Sequence, residues 1–585
     1  VNVDAQRAIN VYPEIVESQQ GRSPYALYNR PGLKTLVTLA GESSVPQLFA
    51  QNGRMFAAGL HLWEILPNLT AVDRGALNPS MAGPGTVFMT ANQNQLLILS
   101  NGLLYLMDLT TNVLTAVNMA QFNDKISKIE FIDSFFIAIQ RLSQVFYTSD
   151  ALNGLTWQAV NAEQVSLITD NLTSVIVSHR DLWMMGNKAS IVYGNTGAAL
   201  APFAPISGGF VEQGCTALAS PVRADNSIFW MGLDGLGNLI AWRANAYTPQ
   251  RVSNHAVENA WAQYPIVTDL VSYSCQFNGH IWWVLYFPTA NATWVYDIST
   301  NMWHEWDYLD PIVGPIAHRS CCHAFAFNQH FVGDWQTGKI YGMSMNYLDD
   351  DGTPIRKLRR APHVGTELQW TLHKYFQLDI EPGVGPIPPL ADVQAPTFIC
   401  LQDANGVKWN VGVTAAGLLT SQSGSTGTPQ TVVLNDPANP ATTSWQLGIS
   451  ITGLLTTTSV ALVAGGINQY PLIAADGSHV WNVMVTAAGL LQTTPGGTLS
   501  RSPLAFLRWS DDAGHTWSNY YPLPIGKAGE YRTRVIWRRL GRSRSRVYEV
   551  TCSDPVVFRV VDAYLEASPN YGVTERIPHQ YRRGA

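Results

Sequence analysis

Charge is scarce in this chain. Only 13% of its 585 residues are Asp, Glu, Lys or Arg, about half the share usual in globular proteins, which excludes a charge-rich disordered protein. No apolar run reaches 18 residues, so no membrane-crossing helix is expected. The N-terminus VNVDAQRAIN has neither the basic stretch nor the apolar core of a signal peptide. Cys215, Cys275, Cys321, Cys322, Cys400 and Cys552 are scattered without framework spacing. Free thiols in a reducing cytosol are therefore expected, not a disulfide scaffold. Helical periodicity is scarce as well. So are the local signatures of catalysis: there is no HExxH, G-x-S-x-G, Walker A loop or GxGxxG after a strand. A glycosidase assembled from distant strands would leave no such signature.

What is abundant is aromatic: 19 Trp, 23 Tyr and 20 Phe. Many aromatics with few charges suit β-structure and surface covered by other subunits. The length exceeds one ordinary core, so two or more domains are expected. Short apolar runs broken by Asn, Gly and Asp recur from about residue 45 to 345, in units beginning near Gln47, Gly85, Ile126, Asn171, Asn226, Tyr273 and Ser320. NGRMFAAGLHLWEIL (52–66), NGLLYLMDLTTNVLTAV (101–117) and TWVYDISTNMWHEW (293–306) show the strand-turn-strand form. Such units suggest a β-propeller of about seven blades, because one blade cannot bury both faces but a ring of blades can. An array of β-sandwiches is the alternative.

Residues 391–500 contain only five charged residues: Asp392, Asp403, Lys408, Asp436 and Asp476. WNVGVTAAGLL from Trp409, WQLGISITGLL from Trp445 and WNVMVTAAGLL from Trp481 repeat at a spacing of 36 residues, with Gly417, Gly453 and Gly489 in register. Each copy is too small to stand alone, so the three are expected to pack as one β-module. It is either a docking decoration or a neutral spacer.

Ser510, Asp512, Gly514 and Trp517 fit an Asp box, S-x-D-x-G-x-T-W, and Ser149–Trp157 fits it loosely. The carboxylate caps turn amides, Gly supplies positive φ and Trp packs beneath, so a structural role is expected. Residues 501–585 carry 14 Lys and Arg against 8 Asp and Glu. Arg532, Arg534, Arg538, Arg539, Arg542, Arg544 and Arg546 crowd one stretch, and Arg356, Lys357, Arg359 and Arg360 form a second cluster. In an extended strand Arg532, Arg534 and Arg538 would share a face opposite Val535 and Trp537. Such a ribbon could meet subunits, an adaptor, DNA phosphates or solvent. His318, Cys321, Cys322, His323 and His330 lack the paired spacing of a zinc site, and Asp349-Asp350-Asp351-Gly352 lacks the downstream Glu of a calcium loop. No catalytic, cofactor-binding or metal residue is therefore assigned. Glu305 and Asp307 beside Trp303 and Trp306 suit either a sugar site or a blade edge.

Residues 505–566 run from an Asp box through an Arg-alternating strand pair to an aliphatic strand and a helical end. RAINVYPEI (7–15), ALYNRPGLKTL (26–36), DGTPIRKLRRAPHV (351–364) and FQLDIEPGVG (376–385) precede them. In this order the segments resemble the short-tailed phage (podovirus) tail nozzle family, also called packaged-DNA stabilisation proteins. The inserted 391–500 stretch departs from the family pattern. The resemblance implies a mainly β structural virion protein and not an enzyme. Its parts would be an N-terminal segment (1–44), a propeller (45–345), and a C-terminal β-domain (346–390 and 501–585) interrupted by the three-copy module (391–500). It implies a homo-oligomer, a hexamer, that extends the DNA channel below the portal and its head-to-tail adaptor. Such a ring helps retain packaged DNA and supports tail fibres, spikes or a needle. Double-stranded DNA would pass without sequence-specific binding and without a cofactor. The location implied is the virion tail, after assembly in the host cytoplasm. Segments 26–34, 351–364 and 527–546 become the expected subunit and adaptor contacts. The alternatives are an Asp-box propeller glycosidase or sialidase, and a glycan-binding adhesin using Trp409, Trp445 and Trp481.

Overall fold

The fold was analysed in a computed structural model. It describes residues 6–569 apart from 16–22, 79–83, 118–124, 166–169, 199, 366–368, 382–397, 415–417, 425–427, 430, 436–442, 450–453, 462–469, 474–478, 486–489, 499–502 and 527–529. The chain divides into two compact units. One is Val1–Glu381 with Leu504–Leu523 and Arg534–Ala585, and the other is Pro382–Pro503 with Pro524–Thr533.

In the first unit, strands from Gln47 to Ser344 form seven consecutive antiparallel blades, five of them separate four-stranded sheets. Their first strands begin at Gln47, Val87, Ile126, Leu172, Val222, Val271 and Ser320. In blades 1 and 6 the first two strands are joined by Asn52-Gly53 and Asn278-Gly279, both with positive φ. That is the hairpin turn that matches strand twist. Alternation then divides each second strand between two neighbours. In His280–Phe287, Trp282 and Val284 pack with blade 7 residues such as Val332 and Tyr341, while Trp283 and Leu285 pack with blade 5 residues such as Phe229 and Met231. The same division recurs at every blade junction, giving a cycle of apolar clusters. It closes where Phe331 and Ile340 of blade 7 meet Leu48 and Met55 of blade 1. The fourth strand of blade 7 is Gly32–Thr38, from before the first blade, paired antiparallel with Lys339–Ser344 and followed in the sheet by the short strands Asp349–Asp350 and Thr353–Pro354. The one helix among the described residues, His255–Trp261, follows blade 5, is capped by Asn254 and buries Val257 and Trp261.

Blade 6 continues into a second layer. Its last strand, Met302–Asp310, runs parallel to Arg7–Ile9, which pairs with Lys357–Arg360. The sheet then passes through Ser545–Cys552 and Leu504–Ser510 to Tyr521–Pro524. A second sheet orders Val11–Ile15, Tyr25–Asn29, Val560–Pro569, Thr371–Ile380 and Val535–Arg538. Phe376 of the second sheet stacks on Tyr548 of the first, centroids 5.1 Å apart, so the two sheets bury one face of each against the other. The end expected to be helical, around VVDAYLEA, is strand Val560–Pro569, paired with Thr371–Ile380. Alternation of Val560, Asp562 and Tyr564 with Val561, Ala563 and Leu565 offers an extended chain a sheet partner, and pairing outweighs local helix preference.

In the second unit each 36-residue copy is a three-stranded antiparallel sheet. The sheets are Ile399–Gln402, Lys408–Val413 and Leu419–Ser423; then Val433–Asn435, Thr443–Ile449 and Leu455–Ala461; then Tyr470–Ile473, His479–Val485 and Leu491–Thr498. The equivalent Val411, Leu447 and Val483 are all buried in one shared core. Leu401, Leu434 and Leu472 join them there, each paired in register with its copy's Trp.

Candidate assembly surfaces

The two basic clusters separate into paired and unpaired side chains. Lys357 is fully buried and its Nζ donates to the Asp554 carbonyl at 2.7 Å; burial pushes its pKa down. Arg356 donates to the Asp307 carboxylate, and Arg359 donates to the Gln6 side chain at 2.7 Å. Arg360 and Arg508 share the buried Glu549 carboxylate, at 2.7 and 2.5 Å. Both guanidinium groups lie 4.6 Å from the Trp517 ring centroid, so Trp517 of the Asp box carries two cations on its ring. Arg546 is buried and makes a two-pronged pair with Asp511, at 2.6 and 2.8 Å, between Trp509 and Tyr548.

Arg534, Arg538, Arg539, Arg542 and Arg544 are exposed, and none of them pairs with a carboxylate among the described residues. Val535–Arg538 is an edge strand, and Arg542-Ser543 pairs further along the same neighbour, Thr371–Ile380. Arg538 stacks over Tyr375, and Arg542 and Arg544 stack over Trp370 at 4.9 and 5.2 Å. The strand begins only at Val535, so Arg534 precedes it and does not share a strand face with Arg538; Arg532, also exposed, belongs to the second unit. Val535 and Trp537 face the core as expected. Lys527 lies outside the described residues.

The Asp box closes on itself. Asp512 accepts from the Thr516 backbone N–H and hydroxyl at 2.8 and 2.6 Å, and Ser510 Oγ accepts from Gly514 N at 2.8 Å. Trp517 Nε1 donates to the Gly514 carbonyl. These donors push the Asp512 pKa well below the usual carboxylate range. In the looser copy Trp157 Nε1 likewise donates to the Gly154 carbonyl, at 2.8 Å.

Segment 26–34 is largely interior. Arg30 is fully buried and its five N–H groups make five hydrogen bonds. Their acceptors are Asn10 Oδ1 (2.7 Å), the Pro31 and Asp307 carbonyls (2.8 and 2.9 Å), and both Asp350 oxygens (3.0 and 2.6 Å). Glu305 pairs with Arg7, and Trp306 is buried, so the acid–aromatic mix at 303–307 is engaged within the chain. Asp351 holds Thr35 and Lys339. His318 contacts Ser320 Oγ, His323 contacts His330 at 3.0 Å, and Cys321 and Cys322 are buried; no metal-holding group of three or more occurs among the described residues. A sialidase-like centre would need clustered arginines and carboxylates. The first strands of the seven blades carry Lys128, Glu130 and Arg223, with Lys128 and Glu130 buried. Trp409 is partly buried against the module core, with Nε1 on Asp403; the side chains of Trp445 and Trp481 lie outside the described residues.

Sequence reasoning missed Arg508, Glu549, Asp511 and Trp370. Arg508 and Asp511 flank the start of the Asp box and could have been read with it, but Glu549 and Trp370 carry no local signal.

Residues 7–347 match the family model described as Bacteriophage P22 Gp10, beta-propeller. The chain belongs to the bacteriophage P22 Gp10 family. Residues 479–568 match the family's second model, Bacteriophage P22 Gp10, beta-sandwich. Members of the family are structural proteins of the short-tailed phage tail, of the tail nozzle and packaged-DNA stabilisation type, and this chain is such a virion tail component. No curated protein matches the sequence. Among solved structures, the extracellular domain of BT4673, a hybrid two component system from B. thetaiotaomicron, is 9% identical with a TM-score of 0.37. That match covers 80% of this chain and 58% of that one. Virginiamycin B lyase from Staphylococcus aureus is 8% identical with a TM-score of 0.35, covering 54% and 99%. BamB from Moraxella catarrhalis is 10% identical with a TM-score of 0.31, covering 51% and 94%.

Proposed function

We propose that this chain assembles in the host cytoplasm into a closed ring, a hexamer, below the portal and its adaptor. The ring continues the DNA channel, helps retain packaged DNA and carries the fibres, spikes or needle of the tail. Its work is mechanical and needs no catalysis or cofactor. The observation that carries this reading is the paired family match, propeller and sandwich in one chain. The edge strand ending at Arg538, with the exposed Arg539, Arg542 and Arg544 just after it, supports it further. An unpaired sheet edge is a template for another chain, and arginine beside aromatic rings is the composition of interface cores. Contact with a neighbouring subunit is favoured over contact with DNA, because a strongly cationic channel would hold back DNA that must leave quickly.

Replacing Arg538, Arg539 and Arg542 with Ala tests the assignment. These side chains are exposed, so the monomer should fold with an unchanged melting midpoint, and ring formation in negative-stain images should fall sharply. Normal rings on particles that retain their DNA would overturn the assignment of the edge to subunit contact.

A further inference from the structure

Two lysines are sealed among the described residues, Lys128 and Lys357, and each has a sealed cysteine as a neighbour, Cys215 and Cys552. Burying an amine is costly unless something is gained by it. The first pair is engaged elsewhere. Lys128 Nζ meets Ser174 Oγ at 3.0 Å and the Leu218 carbonyl at 3.4 Å, and Cys215 Sγ donates to the Ala217 carbonyl at 3.1 Å. The second pair lies inside the sandwich and is turned on itself.

Lys357 and Cys552 are in-register partners on neighbouring antiparallel strands, Lys357–Arg360 and Ser545–Cys552. Residues opposed in this way share a face of the sheet, with Cβ atoms about 4.5–5.5 Å apart. Both are 0% exposed. Their tips converge on one residue: Lys357 Nζ donates to the Asp554 carbonyl at 2.7 Å, and the Cys552 sulfur faces the Asp554 backbone N–H. An ammonium has three hydrogens to place, and among the described residues this Nζ makes that one hydrogen bond. The site therefore suits a neutral amine with its lone pair free, the form that burial also favours. The other charges near it are occupied. Arg30 and Asp350 pair with each other, and the Asp554 carboxylate accepts from Leu504 N at 2.7 Å. Cys552 has no disulfide partner, since all six cysteines are free thiols. The nucleophile beside this thiol is the amine.

We propose that Lys357 and Cys552 are a latent covalent staple, joined by a sulfur–nitrogen bond when a small hydroperoxide such as hydrogen peroxide reaches the sandwich interior. In the first step the thiol attacks the peroxide, and Lys357 Nζ holds the thiol proton meanwhile. One oxygen passes to sulfur, which is oxidised by two electrons to the sulfenic acid, and the peroxide is reduced to water. In the second step the Lys357 lone pair attacks that sulfur. The S–O bond breaks, the S–N bond forms, and the hydroxyl leaves as water with a proton from nitrogen. Nothing is oxidised in this step, and a thiol or phosphine reverses the whole by reduction. In a reducing cytosol the staple stays open. Once closed it ties residues 195 apart in sequence and encloses the whole inserted module; long loops gain most from closure. The staple belongs to the sandwich itself and does not depend on the ring or the tail.

The test treats full-length wild-type protein with hydrogen peroxide, denatures it, alkylates the remaining thiols and maps the tryptic peptides by mass spectrometry. The expected result is a peptide pair containing Lys357 and Cys552, lighter by two hydrogens than its separate parts. Cleavage after Lys357 should be lost, and a phosphine added before digestion should restore both peptides. The mapping needs wild type alone, so its outcome does not hang on how well a variant folds. In the same samples the melting midpoint of peroxide-treated protein should rise above that of phosphine-reduced protein. Lys357→Met keeps the apolar stem and removes the amine; its two midpoints should coincide, and dimedone should then label Cys552. Unchanged cleavage after Lys357 in the treated protein overturns the proposal. So does Cys552 recovered as a sulfenic or sulfinic acid beside free Lys357, or joined to another cysteine.

Discussion

Replacing Asp350 by Asn removes the carboxylate that receives two of the five hydrogen bonds of Arg30. Both side chains are sealed, at 0% and 1% exposure, so no water can take the place of the lost charge. Arg30 also reaches Asn10, whose side chain donates to Asp307 and to the Arg356 carbonyl. The pair therefore sits where the N-terminal strands, blade 6 and the start of the sandwich converge. Removing one partner of a buried pair costs about 3–5 kcal/mol. With about 2.1 cal/mol/K of unfolding entropy per residue over roughly 450 residues, that is a fall of about 3–5 °C in the melting midpoint. Differential scanning calorimetry on Asp350→Asn, on Arg30→Met and on the double variant at one scan rate measures it. Because each single variant leaves the other group buried without its partner, the double variant should be less destabilised than the sum of the singles. An unchanged midpoint in Asp350→Asn, or strict additivity, would refute the reasoning.

Three further outcomes follow from the same structure. Burial alone would push the His280 imidazole down, but its hydrogen bonds to Asp297 (2.6 Å) and Glu14 (2.7 Å) outweigh burial and set its pKa at about 9. A pKa raised on folding stabilises fully below the unfolded value of about 6.5. That contribution is lost as pH rises through 9, so amide exchange in Val11–Ile15 should quicken there, and His280→Gln should flatten the pH dependence. Glu549→Gln removes the charge shared by Arg360 and Arg508 and should cost about 2–3 kcal/mol, with a change in Trp517 fluorescence; an unaltered melt and spectrum would contradict that pairing. Leu447→Ala in the module core should cost about 2–5 kcal/mol, read as faster proteolysis within residues 398–498, whereas Leu454→Ser should leave cleavage unchanged.

The blades were legible because each is a local event. The starts expected at Gln47, Ile126 and Ser320 coincide with observed first strands, since two-residue Asn-rich turns and alternating apolar runs are written contiguously. The 36-residue copies were legible for the same reason. Closure was not. Gly32–Thr38 pairs with Lys339–Ser344 across the whole propeller, and nothing in the local pattern of 32–38 distinguishes that partner from any other. The basic clusters were visible as composition, but their division was not. Arg546 and Arg544 are two residues apart, and one is sealed against Asp511 while the other is exposed over Trp370. Only the tertiary position of those partners decides which is which. Segment 26–34 shows the reverse error, in which a stretch read as an outward contact owes its residue pattern to the demands of burying Arg30.

The central claim is that this chain forms a ring that closes the head of a short-tailed phage. Negative-stain imaging of the purified protein, alone and mixed with phage particles lacking their tails, tests it most directly. The account predicts rings of about six subunits seated on the particle vertex. A stable monomer that leaves those particles uncapped would contradict it.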